Sequence, residues 1–213
     1  MGEFPKIHNT DEIPGEAPQV IENAINVFKQ LPGIGDRTAR RIIYWLLGQP
    51  GEKLEEFISA LEELKNSVKI CSVCFNVSIT DPCHICANPE RDHSVICVVA
   101  EPQDIAAIES TRIYDGVYHV LGGLLDAMRG IGPEDLHIAE LVQRAAQPEV
   151  KEIILALDPS NEGETTARHI AKLLKDVDVK VTILAQGISA GTALEFADPR
   201  TLSAALTNRT ELK

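Results

Sequence analysis

The sequence predicts a mixed α+β chain, helical at its start and closing in an α/β domain with a mainly parallel, doubly wound sheet; three observations predict it. Apolar residues recur at helical spacing from Val20 to Leu64, four cysteines follow in two tight pairs, and beyond residue 92 short β-branched runs alternate with helical stretches. The expected organisation is a flexible arm over 1–19, a helical hairpin domain over 20–68, a four-cysteine motif over 69–92, an α/β domain over 93–186 and a C-terminal segment over 187–213.

The arm is polar, with prolines at 5, 14 and 18 and no lasting periodicity. From Val20 the pattern changes. Val20, Ile21, Ala24, Ile25, Val27 and Phe28 predict a first helix, which stops at Leu31-Pro32-Gly33-Ile34-Gly35. A second helix then starts near Asp36 and runs to Leu47, with Ala39, Ile42, Ile43 and Leu46 as its apolar stripe. Gly33 and Gly35 permit a tight turn with bare backbone N–H groups, so that the turn and the following helix start can hold a phosphate oxygen. Lys29, Arg37, Arg40 and Arg41 add positive charge around it. Such a contact grips a nucleic-acid backbone and reads no base. Read without that function, the segment is an ordinary helical hairpin with a solvated arginine face. A third helix over 52–66, carrying Leu54, Phe57, Ile58, Leu61 and Leu64 on one face, is expected to pack on the hairpin.

Cys71, Cys74, Cys83 and Cys86 form C-x2-C-x8-C-x2-C, a spacing that suits one tetrahedral structural zinc ion. His84 lies between two of these cysteines and is expected outside the ligand set, because four sulfurs already complete it. The alternative of two disulfides is disfavoured in a reducing compartment.

Strands are expected over 95–100, 117–121, 153–157 and 179–185, with helices over 104–110, 134–146 and 163–175 between them. In a doubly wound sheet the functional groups gather at the carboxyl ends of the strands. Glu101 directly follows the first strand and Asp158 the central one. Cys97 and His119 fall within strands and are expected as core residues, and Tyr44, Tyr114 and Tyr118 as packing or surface residues rather than nucleophiles.

The 213 residues are 44% hydrophobic and carry a formal net charge of −12. That balance opposes nucleic acid as a partner unless positive charge is concentrated locally. It is so concentrated: between residues 29 and 41 four basic residues face one acid, Asp36. No run of about 18 apolar residues and no basic-then-apolar leader is present, so a cytoplasmic protein without membrane contact is expected.

An acid at each of two neighbouring strand ends resembles the Toprim domain, whose enzymes use a glutamate and an Asp-x-Asp pair to hold magnesium. Here Ser160 stands where the second aspartate would be. The order of parts is more specific: L-P-G-I-G followed by D-R-T-A-R-R, then the four-cysteine loop, Tyr118-His119-Val120-Leu121-Gly122-Gly123, Gly130-Ile131-Gly132-Pro133 and E-G-E-T-T-A. Over about residues 20–210 the chain resembles the RecR family of recombination mediators. The resemblance implies a non-enzymatic DNA-repair protein, nucleoid-associated, forming a ring-shaped homotetramer that encircles DNA. It further implies work with RecO and RecF to load RecA on gapped single-stranded DNA. It places DNA contacts at Arg37 and Arg41 and partner contact at the Toprim acids Glu101 and Asp158. Asp158-Pro159, His169 and Ala193 depart from the residues common in that family. Two other classes compete: a magnesium-dependent Toprim nuclease or primase, and a zinc-stabilised adaptor without DNA contact.

Overall fold

The computed structural model describes residues 17–185, 187–188, 190–209 and 211. The arm expected over 1–19 thus lies outside the described residues up to residue 16. The chain divides between Asn66 and Ser67 into two compact units.

In the first unit, α1 (Gln19–Phe28) and α2 (Asp36–Leu47) are joined through a turn in which Gly33 takes φ +76°. That left-handed conformation strains any residue with a Cβ, which explains glycine at this corner. Ile25, Ala39 and Ile43 are buried between the helices, with Ile21, Ala24, Phe28, Ile34 and Leu46 packed around them. The apolar stripes expected for both helices therefore meet in part, with Val20 and Val27 of α1 left exposed and Ile42 of α2 outside the cluster. Helix α3 (Gly51–Ser67) forms where the periodicity places it but departs from the expected packing. It buries no residue, and Leu54, Phe57, Ile58, Leu61 and Leu64 are 39% to 64% exposed. Its aromatic contact is an edge-to-face meeting of Phe57 with Trp45 on α2, ring centroids 6.4 Å apart. The stripe is real, but a single short hairpin with only three fully buried residues offers no second face to cover it.

The second unit opens with a two-stranded antiparallel ribbon, β1 (Lys69–Ile70) and β2 (Val77–Ser78), which the sequence reading did not anticipate because each strand has two residues. Four parallel strands follow: β3 (Asp92–Val99), β4 (Gly116–Val120), β5 (Glu152–Leu155) and β6 (Lys180–Ile183). Their order is β4-β3-β5-β6, the doubly wound arrangement expected. Between them run α4 (Pro102–Glu109), α5 (Ile138–Ala145) and α6 (Asn161–Leu173). The helix expected over 134–146 is a 3-10 turn at Pro133–Asp135 followed by α5, because Leu136 adopts extended backbone between them. Helix α7 (Pro199–Thr207) ends the described chain, capped by the Asp198 carboxylate on the N–H groups of Arg200 and Thr201. No described helix is long and apolar enough to cross a membrane.

The core of this unit is contributed by the strands and by α5 and α6, with Ile96, Val98, Val99, Tyr118, Leu121, Leu141, Ile153 and Ile170 almost fully buried. Cys97 is buried among them, and burial pushes its thiol up to about 12. It is a small apolar core residue, as expected.

Candidate functional site

Three chemically distinct places are built on these elements. The first is the glycine turn of the hairpin. Gly35 is the N-cap of α2 and offers no side-chain oxygen to it. The first N–H of the helix to find an acceptor is that of Ala39, on the Gly35 carbonyl at 2.9 Å. Among the described residues the N–H groups of Gly35, Asp36, Arg37 and Thr38 have no acceptor, which is the bare helix start expected from the sequence. The four basic residues are not equivalent. Arg40 is fully engaged: its Nη1 and Nη2 donate to the Glu22 carboxylate on α1 at 2.7 and 3.2 Å, and its Nε to Asp36 at 3.2 Å. Lys29 pairs with the other oxygen of Asp36 at 3.2 Å. These two cations hold the Asp36 carboxyl below the usual range, the Lys29 hydrogen bond contributing most. Arg37 and Arg41 are exposed and make no ion pair among the described residues.

The second place is the four-cysteine cluster. The Sγ atoms of Cys71, Cys74, Cys83 and Cys86 all lie within 4.8 Å of one another, and those of Cys74 and Cys83 are 3.6 Å apart. Four sulfurs at about 2.3 Å from one zinc ion in a tetrahedron stand roughly 3.8 Å apart, so the donor set fits the ion. The knuckles also turn backbone donors onto the sulfurs: Cys83 N–H on Cys71 Sγ at 3.3 Å and Cys86 N–H on Cys83 Sγ at 3.5 Å. Burial raises the Cys71 thiol, yet the backbone N–H groups of Cys83, Cys74 and Val73 outweigh it and bring it down to about 7. Cys74 goes the other way, raised by the adjoining Cys86 sulfur and by burial. Four neighbouring thiolates repel one another, and a divalent cation is what lets all four ionise together. These four sulfurs are the residues that would hold one structural zinc and fill its tetrahedron. His84 is exposed and outside the set, as expected.

The zinc loop is tied to the sheet. Cys74 O accepts the N–H of Val120 at 2.8 Å, and Phe75, held at φ +62°, stacks on His137 with ring centroids 3.8 Å apart. His119 lies under the same ring, buried, with Nε2 at 2.7 Å from the His137 carbonyl oxygen. That bond puts the proton on Nε2 and leaves Nδ1 a buried lone pair without a partner among the described residues. Burial pulls His119 down to about 4, so it is neutral and structural, as expected.

The third place is a cleft of about 560 Å³ at the carboxyl ends of β3 and β5, where the sheet order reverses. Glu101 and Asp158 both line it, as the sequence placed them. Asp104, Asp126, Glu162 and Arg129 join them, and the sequence reading missed these four. Two of them carried a local signal. Asp104 completes a capping box with Glu101, its Oδ2 accepting the Glu101 N–H at 2.9 Å; Asp126 accepts the N–H groups of Met128 and Arg129 at 2.9 and 3.1 Å. Ser160, in place of the second Toprim aspartate, caps α6 through the Gly163 N–H at 3.1 Å. The carboxylates of Asp104 and Asp126 and the Ser160 hydroxyl are thus committed to backbone N–H groups, whereas the Glu101 carboxylate accepts from the Gln103 side-chain amide. Among the described residues only the four cysteines bring ligand atoms of three or more candidate groups together.

A hairpin with a bare helix start, a closed four-sulfur cluster and a Toprim-type sheet define a three-module chain. Family models match nearly all of it: RecR, helix-hairpin-helix at 21–65; the RecR four-cysteine zinc finger domain at 68–88; Toprim domain at 94–185; and RecR, C-terminal at 187–210. The chain is 50% identical over 189 residues to Recombination protein RecR of Bifidobacterium adolescentis, covering 89% of this chain and 94% of that one. It is 47% identical over 195 residues to Recombination protein RecR of Staphylococcus aureus, covering 92% and 98%. The chain belongs to the RecR family.

Proposed function

We propose that this chain is a DNA-repair and recombination mediator that grips the phosphate backbone of DNA through its hairpin and performs no bond-making or bond-breaking itself. The observation that carries the reading is the turn at Gly33–Gly35. Among the described residues it leaves the N–H groups at the start of α2 without acceptors and sets Arg37 and Arg41, which have no ion-pair partner there, within the first two turns of the same helix. Gly33, Gly35, Arg37 and Arg41 make the contact; Lys29 and Arg40 border it.

The acidic cleft supports binding rather than hydrolysis. Its two Toprim acids are joined by no third ligand group in metal-binding proximity among the described residues, and a serine takes the place of an aspartate. Glu101 and Asp158 serve as a docking point for a basic partner surface, in keeping with the RecO contact that the family resemblance implies, and RecF and RecA loading on gapped DNA complete the pathway. The exposed apolar face of α3 supports association of several copies, with a homotetrameric ring as the assembly. A net charge of −12 keeps the outer surface from holding DNA, so binding falls to hairpins acting together.

The test is a salt titration of binding to gapped duplex by fluorescence anisotropy. The natural protein is expected to show a steep slope of log affinity against log salt, and Arg37→Glu/Arg41→Glu to flatten it and weaken binding at least about ten-fold. Equal curves would place the DNA path elsewhere.

A further inference from the structure

We propose that Asp36 is a built-in brake on the hairpin: by holding Lys29 and engaging Arg40 it withholds half of the basic residues from phosphate and sets the DNA affinity of each hairpin below what the sequence would permit. The inference rests on the hairpin being the DNA contact.

The geometry behind it is local. Asp36 is the first residue of α2, so its carboxylate stands at the helix start beside the bare N–H groups where a phosphate oxygen would dock. One of its oxygens takes Lys29 at 3.2 Å and the other takes Arg40 Nε at 3.2 Å. Arg40 is additionally forked onto Glu22. Arg40 is therefore the clamp between α1 and α2, with every nitrogen of its guanidinium already directed at a carboxylate, and its service to DNA would cost the hairpin its closure. Lys29 has a single partner and is the residue that would be released. Asp36 acts twice: it occupies Lys29, and its own negative charge repels the phosphate. Ion pairs this exposed are individually weak, so the effect is graded, a brake and not a lock.

Low affinity per hairpin has a use in an assembly. If each hairpin holds weakly, stable binding requires several at once, and the protein can shift along a backbone by releasing one contact at a time.

The experiment compares salt titrations on gapped duplex for the natural protein, Asp36→Asn, Lys29→Ala, Asp36→Asn/Lys29→Ala and Glu149→Gln. Glu149 is an exposed acid of the second unit, so its variant makes the same net-charge change outside the hairpin unit. Asp36→Asn is expected to bind about three- to five-fold tighter at low salt and to steepen the slope by about one phosphate contact, an effect of one nearby charge in water. Lys29→Ala alone is expected to change little, whereas in the Asp36→Asn background it takes back most of the gain. That non-additivity marks release of Lys29 rather than a general change of charge.

If Asp36→Asn matched Glu149→Gln, or if Lys29→Ala cost the same in both backgrounds, the brake would be overturned while the hairpin contact stood. Should Arg37→Glu/Arg41→Glu bind like the natural protein, the hairpin contact and the brake would fall together. Thermal unfolding of each variant reports folding, and Asp36→Glu, which keeps the charge, is expected to bind like the natural protein.

Discussion

At the scale of single residues, the most telling group is the one that no motif announced. Arg91 leaves the zinc loop and donates through Nη1 to Glu109 at 2.8 Å, to Tyr114 O at 3.2 Å and to Gly116 O at 3.3 Å; Tyr118 Oη donates to the same Glu109 oxygen at 2.6 Å. Arg91 above all, with help from Tyr118, holds the Glu109 carboxyl below its ordinary 4.5, against the opposing pull of burial. A carboxylate lowered on folding contributes stability that is whole above its ordinary value and is lost as pH falls through its folded value. Glu109→Gln is therefore expected to cost about 1–3 kcal/mol near pH 7, as for a partly buried charged hydrogen bond, and the deficit to shrink below about pH 4.5. Urea unfolding at several pH values measures it; a deficit that persisted unchanged at low pH would assign Glu109 a packing role only. Gly163 makes the same point about invisible constraints. A Cβ there would overlap the Asp158 carbonyl oxygen, so the glycine of E-G-E serves the close approach of α6 to the end of β5 and has no chemistry of its own. Neither role was legible in the sequence, because both depend on partners that no local spacing points to. The zinc ligands were legible to the last residue, since their signal is spacing alone.

Among elements, what the sequence carried well was periodicity, and what it carried poorly was occupancy. Helices α1, α2, α3 and α6 stand within a few residues of where apolar spacing put them, and β3 and β5 end shortly before the acids that follow them. Helix α5 begins late because Leu136 is extended, a local conformation that composition does not report. For α3, spacing marked an apolar face correctly, but no spacing rule says whether a partner face exists in the same chain. The zinc loop packs Ile85 and Phe75 against the core of the sheet unit, and a bound zinc would add its own folding free energy to that packing. Cys74→Ser is expected to lose the bound zinc and on the order of several kcal/mol of stability, seen as a lower thermal midpoint and as zinc absent from the dialysed protein. Because Cys74 O and Phe75 both bear on the sheet unit, the loss should reach β4 and not stop at the loop.

For the molecule as a whole, the exposed stripe of α3 and the modest charge of one hairpin belong together. If α3 joins copies as proposed, Leu61→Glu/Leu64→Glu is expected to lower the mass read by light scattering and to weaken DNA binding with it, because avidity is lost with copy number. An unchanged mass would exclude this face from the subunit contact. A last consequence follows from the way β4 is closed. It lies at one edge of the sheet, yet three of its outward groups are occupied: Gly116 O by Arg91, Tyr118 O by Arg144 at 2.6 Å and Val120 N–H by Cys74 O. Two guanidinium groups and a zinc knuckle stand in for a fifth strand. At the opposite edge, β6 has no such cover among the described residues. Among the described residues the more open edge is therefore β6: a visiting strand, whether from a partner or from a misfolded neighbour, finds the freer template there, and the zinc-bearing flank is the more closed side of the sheet.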